Sequence, residues 1–357
     1  MKFITDPAPI RLDNMTDRIL VTGVSGFIAS HVTERLLKKG YAVRGTVRNK
    51  DKGQKIVDKL AAHGSDTSKL ELFEADLGSD AGWQDAVKDC RYIQHIASPF
   101  PLEAPSDREA LVPEARAGAM RVIEHGLGAG TERIVMTSSM VSMMGQKGRG
   151  AYMLVKESDW SDPDWKPLTA YPVSKTRAEK SAWDYVKTQN LETKLTTVCP
   201  GLVFGPDSYQ NGGASLGLIT AMFAGDFPRT PKIAYPIIDV RDCASIHVAA
   251  MTAKGAGGRR LMAAGETLWM SAVGNILKEA YPEYKKLPKG DFPNFMVRMV
   301  GLFDDRVKGV IPDLGTFHEA DSAYVNSLTH VIPRPAKEAI LSAAESLMAN
   351  GNVKQPN

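Results

Sequence analysis

The chain has 357 residues, 43% of them hydrophobic and 24% charged, with a net charge of +3. That length buries a large core. The balance of charge excludes disorder as the expected state and offers no basic excess suited to a phosphate backbone, so nucleic acid is not an expected partner.

The three cysteines, Cys90, Cys199 and Cys243, are odd in number and far apart. They fit neither a disulfide framework nor a zinc cluster, so they read as small core residues of a reducing compartment, and no metal is expected. The opening "MKFITDPAPIRLDNMTDR" lacks the apolar stretch of a signal peptide, and no apolar run in the chain is long enough to span a bilayer. A cytoplasmic location and no membrane contact are the expectations.

In chain order, a leader over residues 1–17 precedes "RILVT" (18–22), a buried strand followed by a glycine turn and the helical "FIASHVTERLLKKG", with Gly40 as its C-terminal cap. Further strands are expected at "YAVRGTVR", "LELFEAD", "YIQHIAS", "RIVMTSS" and "KLTTVCPGLVF". Helical composition separates them at about 50–62, 79–89, 106–130 and 171–190. This alternation predicts an α/β fold, a doubly wound parallel sheet covered on both faces. The expected nucleotide-binding domain covers 18–205. Past residue 205 glycine and proline become frequent, which predicts a smaller, mainly substrate-binding lobe over 206–357, with a return to the first domain near 236–252.

In "VTGVSGFIASHV", Gly23 and Gly26 are spaced G-x-x-G, with Ala29 where a third glycine often stands. Between a strand and an amphipathic helix, such a turn lets backbone amides approach a pyrophosphate at a helix N-terminus. Its residues Gly23, Ser25, Gly26, Phe27 and Ile28 are therefore candidate cofactor contacts. An acidic residue at the end of the second strand would select NAD. This chain has "TVRNKDKGQK" there. Arg48 can grip a 2′-phosphate with its planar fork, and Lys50, Lys52 or Lys55 can add positive charge, which predicts NADP(H). Asp76 and Leu77, just after the third strand, are candidates for flanking the adenine. Asp76 reads equally well as a helix cap. Ala97, in "HIASP" after the fourth strand, is a further candidate contact.

A tyrosine and a lysine four residues apart share one face of a helix, and three such pairs occur: Tyr152/Lys156, Tyr171/Lys175 and Tyr281/Lys285. Tyr281 stands in a glycine- and proline-rich region, at an expected surface helix end. Tyr152 sits in a glycine-containing loop, and its lysine runs into the helix-breaking "ESDWSDPDW". Tyr171 opens a long stretch without interior glycine or proline, with Pro172 at a position that helices tolerate. That helix leads to the next strand, which brings the pair to the sheet edge where open α/β sheets hold ligands.

A carbonyl that receives hydride needs a proton donor, and an ordinary tyrosine has a pKa near 10. A nearby ammonium and the nicotinamide charge would lower that value toward the working pH. Lys175 can also hold the nicotinamide ribose. Ser139, at the mouth of the fifth strand, can orient the substrate oxygen, with Ser138 as its rival.

"VTGVSGFIA", "HIASP", "MTSS", "YPVSK" and "CPGLVFGP", in this order, resemble the extended short-chain dehydrogenases/reductases over roughly residues 18–345. Within that superfamily "AVRGTVRN", "ESDWSD" and "SKTRAEKSAW" are most similar to the branch of dihydroflavonol 4-reductases, cinnamoyl-CoA reductases and yeast-type aldehyde and ketone reductases. The resemblance implies a Rossmann domain with a C-terminal substrate lobe. It also implies a triad of Ser139, Tyr171 and Lys175 reducing a small carbonyl with NADPH, and places Pro200 and Val203, in the loop after the sixth strand, beside the nicotinamide.

Sugar-nucleotide epimerases of the superfamily tend to carry Arg and Asn before "V-Y-G-P", whereas this chain reads "TVCPGLVFGP", which favours the carbonyl reductases. An NAD-dependent epimerase or dehydratase is the alternative, and a non-catalytic dinucleotide sensor a remote one. Arg121 falls near a position where many members keep an asparagine, so an asparagine-based proton relay is not expected. Met140, Met143, Met144 and Met153 are candidates either for an adaptable pocket wall or for plain core packing. Trp160 and Trp165 could shape a lid, with Trp160 the better candidate for anchoring its loop. Both a monomer and a homodimer agree with the resemblance.

Overall fold

A computed structural model describes residues 17–98 and 105–354. The leader over 1–17 falls almost entirely outside the described residues, as does the side chain of Lys52. The first half of the chain runs β1 (Arg18–Val21), α1 (Phe27–Lys38), β2 (Ala42–Val47), α2 (Lys50–Ala62), β3 (Leu70–Glu74), α3 (Trp83–Val87), β4 (Tyr92–His95), α4 (Val112–Gly128), β5 (Arg133–Thr137), α5 (Val141–Met144), β6 (Tyr152–Val155), α6 (Ala170–Thr188) and β7 (Leu195–Pro200). The second runs β8 (Leu202–Phe204), α7 (Ala214–Ala224), β9 (Thr230–Pro231), β10 (Ala234–Asp239), α8 (Val240–Thr252), β11 (Arg260–Ala263), β12 (Thr267–Trp269), α9 (Met270–Ala280), β13 (Asp291–Phe292), α10 (Asn294–Val300), α11 (Asp305–Lys308), β14 (Phe317–Ala320), α12 (Ala323–Thr329) and α13 (Ala336–Ala349).

Seven strands form one parallel sheet in the order β11-β7-β5-β4-β1-β2-β3. Ile19, Leu20, Val21, Ile93, Ile134 and Val135 are buried, as strands covered on both faces require. One apolar layer joins α1, α2 and α8 to the sheet, and α3, α4 and α6 fill the other. The order reverses between β1 and β4. Beyond the C-terminal ends of these two strands lies the crevice where such sheets take ligands.

A second sheet runs β12-β10-β14-β6, with β8 paired to β10, and packs through β10 against α13. Residues past 205 thus contribute to both sheets, with β11 in the large one and β10, β12 and β14 in the second, and with α7, α9 and α13 around a separate apolar cluster.

Several elements depart from the sequence expectations. The run "KLTTVCPGLVF" is two strands in two different sheets. The chain changes sheets at Gly201, where an added Cβ would stand 2.2 Å from the Pro236 carbonyl oxygen. Pro200 therefore ends β7 and Val203 lies inside β8, so neither is a loop residue. The helix expected over 79–89 shrinks to α3, because Gly82 has φ +83° and Trp83 turns its indole N–H back to the Asp76 and Ser79 carbonyls. The helix expected from about 106 begins at Val112. Tyr152 lies in a strand rather than a loop, its ring exposed and its hydroxyl donating to Glu319.

Candidate active site

The turn after β1 is shaped by close packing. Gly23 has φ +63°, in the left-handed region that favours glycine, and an added Cβ would lie 2.8 Å from the Ala97 side chain beyond β4. The Gly26 amide closes the turn on the Gly23 carbonyl at 2.8 Å, and Thr46 receives the Gly23 N–H at 2.9 Å. No side chain caps α1, so its first N–H groups face outward into the crevice. Thr22 ties the two strand ends together: its hydroxyl accepts from the backbone amides of Ile96 and Ala97, both at 3.0 Å.

From this turn a cleft of about 1000 Å³ extends across the sheet edge. Gly23, Ser25, Gly26, Phe27 and Ile28 line one end, with Arg48, exposed just past β2, and Asp76 and Leu77 past β3. Ala97 lines its middle, and Ser139, Tyr171, Lys175, Pro200 and Val203 its other end. A glycine cradle, an uncapped helix N-terminus and an arginine at the second strand form a donor set that fits a phosphorylated dinucleotide. Lys55 stands exposed on α2, outside that lining, and Lys50 is likewise exposed. Asp76 lines the cleft but caps no helix: Gly82 precedes α3, and the Asp76 carboxylate accepts from the Gly78 amide at 2.8 Å in a local turn.

Among the three Tyr/Lys pairs, only Tyr171 and Lys175 line the cleft. They occupy the first turns of α6, with Pro172 at the start, where its missing N–H costs the helix nothing. Ser139 lies beside the Tyr171 hydroxyl in the cleft. Ser138 is turned the other way, donating to Glu179 at 2.6 Å, which separates the two serines that the sequence left as rivals.

Electrostatics depart from the expectation of a tyrosine lowered by its lysine. Burial pushes the Tyr171 phenol above its ordinary value of 10, and the neighbouring Ser139 hydroxyl pulls it back only in part. Lys175 moves the other way. Burial drives its ammonium down to about 8, against the opposing pull of Glu179 and then of Cys199. His95, behind the pair, is held neutral: burial first and Lys175 second lower it to about 3, and its Nδ1 meets the Thr22 hydroxyl at 3.0 Å.

Sequence reasoning missed several participants. Glu179, two turns beyond Tyr171, is fully buried; a glutamate flanked by Arg177 and Lys180 reads as a solvated helix face. Glu114 and the segment 213–215 also line the cleft without any motif to announce them, as do Thr137 and Gly201, which lie inside "MTSS" and "CPGLVFGP" but were not singled out. Arg121 lines it too, held by Asp80 and the Leu77 carbonyl. The pocket-wall reading of the methionines gives way to core packing. Met140, Met143 and Met144 are buried with Val155, Cys199 and Met262, and Met153 packs against that cluster. Trp160 anchors its loop under the Arg260 guanidinium, 3.6 Å from the ring centre. All three cysteines are buried and free, and burial pushes Cys90 up to about 11 and Cys199 up to about 12. Among the described residues there is no cluster suited to a metal ion, and no helix long and apolar enough to cross a membrane.

The model of the NAD dependent epimerase/dehydratase family matches residues 19–264. A cinnamoyl-CoA reductase of Medicago truncatula is 31% identical, with 75% of this chain and 82% of that protein covered. The NADPH-dependent methylglyoxal reductase of Saccharomyces cerevisiae is 29% identical, with 76% of this chain and 85% of that protein covered. Among solved structures, yeast methylglyoxal/isovaleraldehyde reductase complexed with NADPH superposes with a TM-score of 0.75 at 25% identity, covering 94% of this chain and all of that one.

Proposed function

Because the chain belongs to the NAD dependent epimerase/dehydratase family, among the extended short-chain dehydrogenases/reductases, we propose that it is an NADPH-dependent reductase converting an aldehyde or ketone to an alcohol. One observation carries the reading: Tyr171, Ser139 and Lys175 come together at the far end of a cleft whose near end is the glycine turn. The reductases among its relatives support it.

In this reading Gly23, Ser25, Gly26, Phe27 and Ile28 hold the pyrophosphate, Arg48 pairs with the 2′-phosphate, and Asp76 and Leu77 border the adenine. Ala97, Pro200 and Val203 flank the nicotinamide. Bound there, NADPH supplies the hydride. Ser139 and Tyr171 hold the substrate carbonyl oxygen between two hydroxyl donors and so polarise it. As charge grows on that oxygen Tyr171 releases its proton to it, and Lys175 stabilises the phenolate left behind. The high phenol value in the protein alone keeps Tyr171 protonated and ready as an acid until that moment. Residues 18–205 then form the cofactor-binding part, and 206–357 mainly the substrate side.

The test is NADPH oxidation, followed by absorbance, over a panel of aromatic and aliphatic aldehydes and ketones. Turnover with at least one carbonyl is expected, and Tyr171→Phe is expected to lose at least about 100-fold. Full turnover by Tyr171→Phe would overturn the assignment. A tightly retained NAD with no net oxidation would point instead to epimerase or dehydratase chemistry.

A further inference from the structure

Tyr171, Lys175 and Glu179 follow one another at four-residue intervals, so they form one stripe along α6. Glu179 is fully buried, yet its carboxylate is surrounded by donors from four other elements or strand ends. Ser138 and Ser142 each donate to Oε2 at 2.6 Å, and Thr197 of β7 donates to Oε1 at 2.8 Å. Arg260 of β11 closes on both oxygens, Nε to Oε1 at 2.7 Å and Nη2 to Oε2 at 3.1 Å. The Arg260 guanidinium is itself fixed by the Glu157 carbonyl at 3.0 Å and by the Trp160 ring.

This is more anchoring than a structural ion pair requires, and it lies one turn from the lysine of the candidate site. A buried carboxylate survives as an anion only when donors and cations surround it. Burial acts to raise the Glu179 carboxyl, but Arg260, Ser138 and Ser142 together bring it below its ordinary value. One buried anion therefore faces two cations, Arg260 and Lys175.

Resting on the reductase reading above, we propose that Glu179 is a positioning residue for the reduction: held by Arg260, it keeps the Lys175 ammonium charged beside Tyr171. The groups facing Lys175 are Tyr171 and Glu179 from its own helix, His95 past β4 and Cys199 of β7, with Arg260 of β11 behind Glu179. Glu114 and Arg121 of α4 line the same cleft, and α5 brings no titratable side chain. His95 and Cys199 are neutral at working pH, so Glu179 is the anion on which the charge of Lys175 depends.

Both partners of the ion pair carry a prediction. Glu179→Gln keeps the size and leaves Lys175 without its anion, so the alkaline limb of the kcat profile should move down by about one pH unit. Arg260→Gln removes the cation that does most to keep Glu179 ionised, so the same limb should move down as well, whereas Arg260→Lys keeps that cation and should leave it in place. Thr197→Val takes one hydrogen bond from Glu179 without touching its charge, and it should lower stability while leaving the limb in place. A purely structural role would cost activity in these variants with no shift of the limb.

A second readout is independent of turnover: the pH dependence of Lys175 acetylation by trace acetic anhydride, read on the α6 peptide by mass spectrometry. It should show the same downward displacement in Glu179→Gln and Arg260→Gln and none in Arg260→Lys, and where Glu179→Gln does not fold, the two Arg260 variants carry the test. Unchanged Lys175 titration in Glu179→Gln and Arg260→Gln overturns the proposal even if the enzyme reduces carbonyls. Displaced titration in a protein that reduces none leaves the proposal's electrostatics standing and removes the reductase reading instead.

Discussion

Ser138 and Ser139, neighbours at the end of β5, have hydroxyls with different surroundings: Ser138 donates to the buried Glu179 at 2.6 Å, while Ser139 lies beside Tyr171 in the cleft. The two hydroxyls are therefore expected to fail differently. In the proposed reaction Ser139→Ala removes a donor to the substrate oxygen, so kcat/KM should fall by about 100-fold or more with little change in stability. Ser138→Ala leaves a buried carboxylate short of one donor, costing about 1–3 kcal/mol of unfolding free energy and less than about 10-fold in activity. Steady-state kinetics beside urea unfolding separates the pair. Equal losses of activity in both variants would contradict these different surroundings.

Gly23 offers a test of the cradle. An alanine there meets both a φ of +63° and the Ala97 side chain at 2.8 Å, neither of which a flexible side chain can relieve. Backbone strain of this kind costs on the order of 1–3 kcal/mol. Gly23→Ala is expected to lower the midpoint of thermal unfolding and to weaken NADPH binding, followed by quenching of protein fluorescence, more than substrate turnover at saturating cofactor. Binding as tight as in the parent protein would mean that the pyrophosphate lies elsewhere.

Much of the first half of the fold was legible in the sequence for a simple reason. Strands such as "RILVT" and "RIVMTSS" are buried on both faces and stand as apolar runs between amphipathic helices, so period and composition agree. The second sheet offered no such signal. β6, β8 and β14 have four, three and four residues and pair with partners far along the chain, so their strand character comes from tertiary contact. Val155 and Tyr152, on one short strand, illustrate this: one is buried and the other exposed at a sheet edge, within a segment that reads as a loop. At the site, the Tyr171/Lys175 spacing and the glycine turn could be read because their chemistry depends on local geometry. Glu179 could not, because what buries it is Arg260, 81 residues away in β11.

Arg48 is exposed at the end of β2 and lines the cleft, and the proposed function pairs it with the 2′-phosphate of NADPH. Charge-assisted hydrogen bonds of this kind contribute about 1.5–3 kcal/mol. Arg48→Asp should therefore shift the ratio of kcat/KM for NADPH over NADH by roughly 10- to 100-fold toward NADH. The shift should shrink as ionic strength rises, since the side chain is solvated. Parallel titrations with both cofactors measure it, and an unaltered ratio would move the determinant to another residue.

His95 and His247 set the acid limit of stability. Both are buried, and burial, assisted for His95 by the charge of Lys175, brings each down to about 3. His247 is enclosed by the side-chain amide oxygen of Gln94 at 3.0 Å and the Thr137 hydroxyl at 3.2 Å, so a second proton would have to displace the Thr137 donor. The unfolded chain binds protons at these rings below its ordinary value of 6.5, while the folded chain does not until near 3. Stability is thus intact above 6.5 and is lost as pH falls through the window from 6.5 to 3. The slope is about 1.4 kcal/mol per pH unit for each histidine. Urea unfolding between pH 7 and pH 4.5 should show that decline, and His247→Gln, which keeps an amide able to meet Gln94, should remove one proton from the slope. A slope unchanged by the substitution would mean that His247 already takes up its proton in the folded protein, against its enclosure between Gln94 and Thr137.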